Sequence, residues 1–175
     1  SAVRLLLGTG GGKTPNTASF AGNAFAGNTV ACSGRDQACP GGSVVIDGGN
    51  TSFSGDAFSG NVGNSGATAD LYVTASSGDL ALSGVTFNMT ANTTHPSAAS
   101  AIGVTISKSA ALSSGGRFSC PPGYKVANTT SSAQTAYSCQ RCAPSTYLVH
   151  NGTLELGATG SKCLPCPFGG ECSGG

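Results

Sequence analysis

Two nine-residue segments of this chain are near copies of one another. FAGNAFAGN over residues 20–28 matches FSGDAFSGN over residues 53–61 at a constant offset of 33 residues, and LSGVTFN over residues 82–88 is a looser third copy. A period of about 20 to 50 residues is typical of solenoids and other repeat arrays. Helical repeats are excluded, because a glycine at every fourth or fifth position would destabilise a helix by about 1 kcal/mol each. The repeat therefore predicts stacked β-structure.

Short runs of β-branched and aliphatic residues supply the strands of this prediction. Clusters of Gly, Asn, Asp and Ser separate the runs, as is usual at turns. Apolar residues sit two apart at 71–73 and 102–106, which indicates strands with one buried face. The predicted strands are Val3–Leu7, Ser43–Ile46, Ala69–Thr74, Leu80–Leu82, Thr86–Met89 and Ile102–Ile106.

A stack of parallel β-coils explains why the chain contains 28 glycines and so many other small residues. Equivalent residues of successive coils lie about 4.8 Å apart, and the interior is narrow. Tight corners need positive φ, which Gly supplies and Asn tolerates. The repeated aromatic residues are therefore expected to stack in the core, and the repeated Asn and Asp residues to lie at corners. The expected core residues are Phe20, Phe25, Phe53, Phe58 and Phe87, and the expected corner residues are Asn23, Asn28, Asp56 and Asn61.

The composition excludes several other classes of protein. Charged residues make up 9% of the chain and the formal net charge is +1. A basic nucleic-acid binder needs clustered Lys and Arg, and a coiled coil needs periodic Leu with charged flanks. Disordered chains usually combine low hydrophobicity with high net charge, whereas 38% of these residues are hydrophobic. A turn-rich all-β protein of one or two domains remains.

The Phe-x-Gly-Asn-x-Phe-x-Gly-Asn pattern, with Gly-Gly pairs at 41–42 and 48–49, resembles the repeats of polymorphic outer membrane proteins. Those repeats carry Gly-Gly-hydrophobic and Phe-x-x-Asn motifs. The resemblance covers residues 15–66 well and the strand pattern loosely to about residue 114. It implies a right-handed parallel β-helix (solenoid), here over residues 1–116. At about 20 to 33 residues per coil, this length predicts four or five coils. The apolar run Leu5–Leu7 looks like part of another coil and not like a polar cap, which predicts further coils upstream. The motif is specific for architecture and says little about function.

Eight cysteines are distributed unevenly. An even number at high density predicts disulfides in an oxidising compartment. The CxxC pairs at 139–142 and 163–166 also have the spacing of a zinc ribbon, but two further cysteines frame them and their surroundings are not basic. Cys32 and Cys39 are expected to form a local disulfide, with pairing of each to a distant cysteine as the alternative. The remaining six are Cys120, Cys139, Cys142, Cys163, Cys166 and Cys172.

Residues 117–175 are predicted to form a second, small disulfide-rich module. CPPGY at 120–124, CQRCAPSTY at 139–147 and CLPCPFGGEC at 163–172 resemble the EGF-like cysteine-rich modules of ephrin-type and tumour-necrosis-factor-type receptors, although Ser145 stands where that family often has Gly. The resemblance implies that the two cysteines of each CxxC pair with different partners, with Cys120–Cys139 as the first expected bond. Cys166–Cys172 would close a short terminal loop. A module of about 55 residues has too small a core to fold without crosslinks.

Five sequons favour an extracellular or cell-surface location. They are acceptors for N-linked glycans. No run approaches the roughly 20 apolar residues of a membrane span. The chain is interpreted as a piece of a longer secreted polypeptide, with a complete mature domain as the alternative. The predicted glycosylation sites are Asn50, Asn88, Asn92, Asn128 and Asn151.

The residue pattern does not indicate catalysis. The seven acidic residues include no two that are adjacent or two apart, whereas glycoside hydrolysis needs two carboxylates close together. His95 and His150 lie in Ser- and Thr-rich segments and are interpreted as solvated. No catalytic, metal or cofactor site is therefore predicted.

The sequence thus predicts a structural or adhesive extracellular glycoprotein. A rigid stalk or fibre component of this kind would contact neighbouring copies or other cell-surface proteins and glycans. The first alternative is a receptor-type ectodomain that binds a protein or glycan ligand through its cysteine-rich module. The second is a carbohydrate-active β-helix with its site outside this segment, which would be revealed by turnover of polyuronates.

Overall fold

The computed structural model describes residues 3–7, 16–30, 42–63, 68–74, 77–89, 101–113, 115–148 and 153–172. These residues form β-strands and turns, with no helix among them, so the all-β class is confirmed. The strands are β1 Val3–Leu6, β2 Thr17–Ala21, β3 Ala24–Ala26, β4 Thr29–Val30, β5 Val44–Asp47, β6 Gly49–Ser54, β7 Ala57–Ser59, β8 Val62–Gly63, β9 Leu71–Val73, β10 Ser77–Ser83, β11 Thr86–Asn88, β12 Ala101–Ser107, β13 Leu112–Ser113, β14 Arg117–Ser119, β15 Tyr124–Thr130, β16 Gln134–Arg141, β17 Thr146–Tyr147, β18 Thr153–Glu155 and β19 Leu164–Pro165.

The six strands predicted from apolar runs are all present. They correspond to β1, β5, β9, β10, β11 and β12, with ends that differ from the predicted ones by at most three residues. The aromatic segments themselves form β2, β3, β6 and β7, which the sequence had indicated as core without identifying them as strands.

The strands before Cys120 fall into four successive tiers, and each tier contributes one strand to each of three sheets. Tier 1 supplies β1, β2 and β3; tier 2 supplies β5, β6 and β7; tier 3 supplies β9, β10 and β11; tier 4 supplies β12, β13 and β14. All pairings between neighbouring tiers within these sheets are parallel. A short parallel pair of β4 and β8 also joins tiers 1 and 2. The chain therefore returns to the same three sheets in each tier.

The register between tiers follows the sequence repeat. In the second sheet Phe20 is opposite Phe53, which is opposite Leu82. In the third sheet the partners form a longer series, namely Phe25, Phe58, Phe87 and Phe118. The offset is 33 residues between the first two tiers, 29 between Phe58 and Phe87, and 31 between Phe87 and Phe118. The looser third copy is thus a shorter tier in the same register, and a fourth tier follows that the repeat had not indicated.

Glycine in the repeated motif has a specific backbone role. Gly55 and Gly60, which precede Asp56 and Asn61, have φ values of +63° and +60°. L-residues other than Gly rarely adopt this region, because their Cβ approaches the carbonyl oxygen. The Gly-Asn and Gly-Asp pairs therefore turn the chain between β6, β7 and β8.

Strands from the cysteine-rich part of the chain cover the end of the sheets that lies opposite tier 1. β16 pairs antiparallel with β12, β15 pairs with β16, and β18 pairs antiparallel with β14. Because β14 itself belongs to tier 4, the sheets run across the predicted boundary between residues 116 and 117. Buried side chains of this region join the same hydrophobic core as the tiers, namely Phe118, Val126, Tyr137 and Leu156.

Candidate functional site

The aromatic residues of the repeat stack on one another within the first three tiers. The ring centroids of Phe25 and Phe58 are 4.7 Å apart, and those of Phe58 and Phe87 are 4.8 Å apart. Phe20 and Phe53 stack at 4.7 Å in the neighbouring sheet. These separations match the distance between hydrogen-bonded strands, so the two rings of each of these pairs pack directly on one another. The predicted core role is confirmed for all five phenylalanines, of which those in tier 1 are only partly buried.

The corner residues form a second, polar series. The backbone N–H and the Nδ2 of Asn23 both donate to Oδ1 of Asp56, at 2.7 and 2.9 Å. The corresponding donors of Asn28 both reach Oδ1 of Asn61, at 2.9 and 3.0 Å. One oxygen in tier 2 therefore accepts two hydrogen bonds from the equivalent corner of tier 1. The predicted corner role of these four residues is confirmed, and the contact joins tiers through side chains as well as through the sheets.

A buried carboxyl group lies beneath one of these corners. Nδ2 of Asn61 donates to the carbonyl oxygen of Phe25 and to Oδ1 of Asp70, both at 2.8 Å. Asp70 is fully buried, and its Oδ2 has no hydrogen-bond partner among the described residues. Burial raises the pKa of Asp70 from 3.8 to about 7, although the hydrogen bond from Asn61 lowers it. The carboxyl group is therefore neutral over much of the acidic range.

In the sequence, Asp70 is one of seven scattered acidic residues. The available signal was its position between Ala69 and the apolar strand Leu71–Val73. A carboxylate within a buried apolar run needs a partner. The partner, Asn61, was identified only as a corner residue, and nothing in the sequence joins the two.

Three disulfides crosslink residues 120–172. Cys120 is bonded to Cys139, Cys142 to Cys163, and Cys166 to Cys172. The two cysteines of each CxxC motif thus have different partners, as the receptor resemblance implied. Three disulfides favour an oxidising environment. Cys32 and Cys39, with their expected local bond, lie outside the described residues.

The described sequons differ in their surroundings. Asn88 and Asn128 are exposed, and Nδ2 of Asn128 donates to the carbonyl oxygen of Ala158 at 3.2 Å. Asn50 is half-buried, and its Oδ1 accepts the backbone N–H of Asp79 at 2.9 Å. The sequons at Asn92 and Asn151 lie outside the described residues.

Ser145 occupies a backbone conformation that favours glycine. Its φ is +64°, and it is the one non-glycine residue with positive φ in the described part of the chain. Its N–H donates to Cys172 and its carbonyl accepts from Cys166, so the turn packs against the terminal disulfide loop. The departure from the receptor pattern therefore falls at a position where a side chain is strained.

We expect Ser145→Gly to stabilise this turn. Relief of the left-handed strain, less the added chain entropy of Gly, should raise the free energy of unfolding by about 0.5–1 kcal/mol. Thermal unfolding with the disulfides intact would measure it. Ser113→Gly, within β13, is the matched control and should lower the stability by about 0.5–1 kcal/mol. Equal effects of the two substitutions would contradict the assigned strain.

The described residues do not form a recognisable metal centre. No group of three or more His, Cys, Asp or Glu side chains among them is arranged to hold a metal ion. His95 and His150 lie outside the described residues. None of the described segments is a helix long and apolar enough to cross a membrane. No protein-family model, curated protein or solved structure matches the chain significantly.

Proposed function

We propose that the four tiers are turns of a right-handed parallel β-helix that ends in an EGF-like, cysteine-rich cap. Three observations support this fold. Each tier adds one strand to each of the same three sheets, the tiers pair in parallel, and the repeated residues are in register. The closing antiparallel strands β16 and β18 cover the last tier on two of its three sheets. A solenoid requires such a cap to protect its core and its strand edges.

The chain is proposed to act as a structural or adhesive component of an extracellular surface, such as a rigid stalk or fibre. The observation that carries this proposal is that the repeated side chains make contacts between tiers. The Phe rings stack on Phe rings, and the Asn and Asp corners hydrogen-bond to the next corner. A repeat whose copies contact one another determines the length and the stiffness of the stack of tiers. Function would then lie in the surface that the stack presents to neighbouring copies, proteins or glycans.

Asn88 is the described sequon best placed to carry a glycan. It is exposed at the end of β11, and no described group hydrogen-bonds to its side chain. Asn50, in contrast, packs against Gly78 of the next tier, so closely that a side chain at position 78 would clash with the Asn50 Oδ1. The amide of Asn128 is held by Ala158. Among these three sites we expect the highest occupancy at Asn88.

Secretion of the chain from a eukaryotic host tests this function. The expected product carries an N-glycan at Asn88, found by glycopeptide mapping, and it resists thermolysin while its disulfides are intact. Asn88→Gln should remove that glycan and leave the protease resistance in place. A product without a glycan at Asn88 that is cleaved as fast as an unfolded chain would contradict the proposal.

A receptor-type ectodomain is the second candidate, and one observation favours it. Phe168 is fully exposed in the loop closed by Cys166 and Cys172, and Leu164 nearby is 42% exposed. Exposed aromatic residues often serve as anchors at protein interfaces. Capture of a soluble partner that is lost in Phe168→Ser, with the chain itself monomeric, would favour this candidate over the structural one.

A further inference from the structure

The first tier leaves the edge of all three sheets open within the described structure. β1, β2 and β3 are each the terminal strand of their sheet. At the opposite end, antiparallel strands cover the first and third sheets. Open strand edges present unpaired N–H and C=O groups that can pair with another chain, and many proteins protect them with Lys, Pro or bulges. The described edge strands β2 and β3 have the sequences TASFA and AFA, which contain none of these.

The hydrogen bonds show which backbone groups face outward. Gly22 N–H donates to Ser54, and the Asn16 carbonyl accepts from Asn50, so the even-numbered residues of β2 bond to tier 2. Because backbone groups alternate in direction along a strand, the N–H groups of Thr17, Ser19 and Ala21 point to the open edge.

The same argument applies to the other aromatic strand of tier 1. In β3, Gly27 N–H donates to Ser59 and the Asn23 carbonyl accepts from Ala57. The odd-numbered residues therefore bond to tier 2. The N–H groups of Ala24 and Ala26 point to the open edge.

The side chains at this edge also lack, among the described residues, contacts that their counterparts in tier 2 make. Phe58 stacks on rings on both sides, whereas Phe25 is partly exposed and, among the described residues, stacks in parallel only on Phe58. Asn23 uses both of its donors on Asp56, and among the described residues its own Oδ1 accepts no hydrogen bond. Asp56, one tier inward, accepts two at the equivalent oxygen. The edge thus offers an aromatic face, backbone groups and a corner acceptor, in the arrangement that tier 2 offers to tier 1.

We propose that this edge binds one further β-coil, an extended polypeptide segment with the pattern Phe-x-Gly-Asn-x-Phe-x-Gly-Asn that adds in parallel. Its two Phe rings would stack on Phe20 and Phe25, and its first Asn would donate to Oδ1 of Asn23. The proposal rests on the β-helical fold proposed above and names the partner of that fold. Addition of strands to an open sheet edge is a general mode of peptide recognition. Continuity of the aromatic and corner series favours this occupant over the same edge of a second copy, which would meet it head to head.

A labelled peptide with the sequence TASFAGNAFAGNTV, that of residues 17–30, tests the proposal with the full chain. Fluorescence anisotropy, at concentrations where the peptide alone does not associate, should show saturable binding at one site. A control peptide with both Phe replaced by Ser should bind at least about tenfold more weakly. The expected complex contains one peptide per chain.

Two chain variants locate the binding site. Ser19→Pro with Ala24→Pro removes two outward N–H groups and no backbone hydrogen bond between tiers. It does remove the exposed hydrogen bond between the Ser19 and Ser52 hydroxyls, and proline is tolerated on strand edges. We expect binding to weaken at least about tenfold while the melting temperature changes little. If this variant does not fold, Ala21→Lys with Ala26→Lys, at two exposed edge positions, provides the same test.

Three outcomes would overturn the proposal. The first is equal peptide binding by the parent chain and the edge variants. The second is the absence of any peptide binding. The third is a chain dimer that the edge variants abolish and that does not bind the peptide, which would assign the edge to a second copy. Secretion, glycan occupancy and protease resistance do not depend on this edge, so failure here is distinguishable from failure of the proposed function.

Discussion

Asp70→Asn should make the stability of the protein nearly independent of pH between about pH 4 and about pH 8. Burial raises the pKa of Asp70 from 3.8 to about 7. The folded state therefore retains a proton that the unfolded state releases at lower pH. Stability is then highest below pH 3.8, falls as the pH rises towards 7, and is constant above that value. At about 1.4 kcal/mol per pH unit, the loss at pH 8 is on the order of 4 kcal/mol.

The amide of Asn at position 70 would preserve the contact with Asn61 and remove the charge. Its oxygen can accept the hydrogen bond that Asn61 Nδ2 now donates to Asp70 Oδ1 at 2.8 Å. Because the variant does not ionise, we expect it to be a few kcal/mol more stable than the parent at pH 8 and similar to it at pH 4. Urea unfolding at the two pH values, with intact disulfides, measures this difference.

Asp79→Asn is the matched control for this experiment. Asp79 is exposed, and its backbone N–H, which bonds to Asn50, is unaffected by the substitution. This variant should retain the pH dependence of the parent. An Asp70→Asn protein with the same pH dependence as the parent would show that the buried carboxyl is not its source.

The parts of the fold that the sequence predicts are those in which one residue type recurs. Phe20 and Phe53 occupy the same position in two copies, and their rings stack at 4.7 Å. The same reasoning assigned Asn23 and Asp56 to equivalent corners, and they are hydrogen-bonded to each other. In a stack of tiers, a residue and its copy meet directly, so a repeat in the sequence is also a prediction of contacts.

The remaining features depend on contacts between residues that are not copies. Nδ2 of Asn61, after β7 in tier 2, donates to Oδ1 of Asp70, just before β9 in tier 3, although the two residues are not copies of each other. The antiparallel pairing of β12 with β16 follows from the free edge of tier 4, and no local pattern in either strand specifies its partner. Residues 117–175 are predicted as a second module from their cysteine pattern, and three strands from these residues, β14, β16 and β18, pair with the sheets of the tiers.

Phe58→Ala should be among the most destabilising single substitutions in the tiers. The ring of Phe58 is fully buried and stacks on Phe25 and Phe87, at 4.7 and 4.8 Å. Truncation removes both contacts and leaves a cavity that the hydrogen-bonded strands on each side cannot close. Substitutions of this kind cost about 3–5 kcal/mol, which is comparable with the whole stability of many small domains. Urea unfolding under non-reducing conditions would measure the loss.

Phe25→Ala removes the same side chain one tier outward and is the matched control. Its ring is partly exposed and, in the part of the chain that the structure describes, stacks in parallel on Phe58 alone, so we expect less than half of the loss found for Phe58→Ala. Phe58→Leu, which keeps much of the buried volume, should also cost less and would show whether the alanine variant fails through its cavity. Equal losses at Phe25 and Phe58 would mean that the two rings are equally buried in solution. We expect that result only if another polypeptide segment already covers the open edge of tier 1. Repeating the urea unfolding in the background of the edge variants would decide whether this segment belongs to another chain.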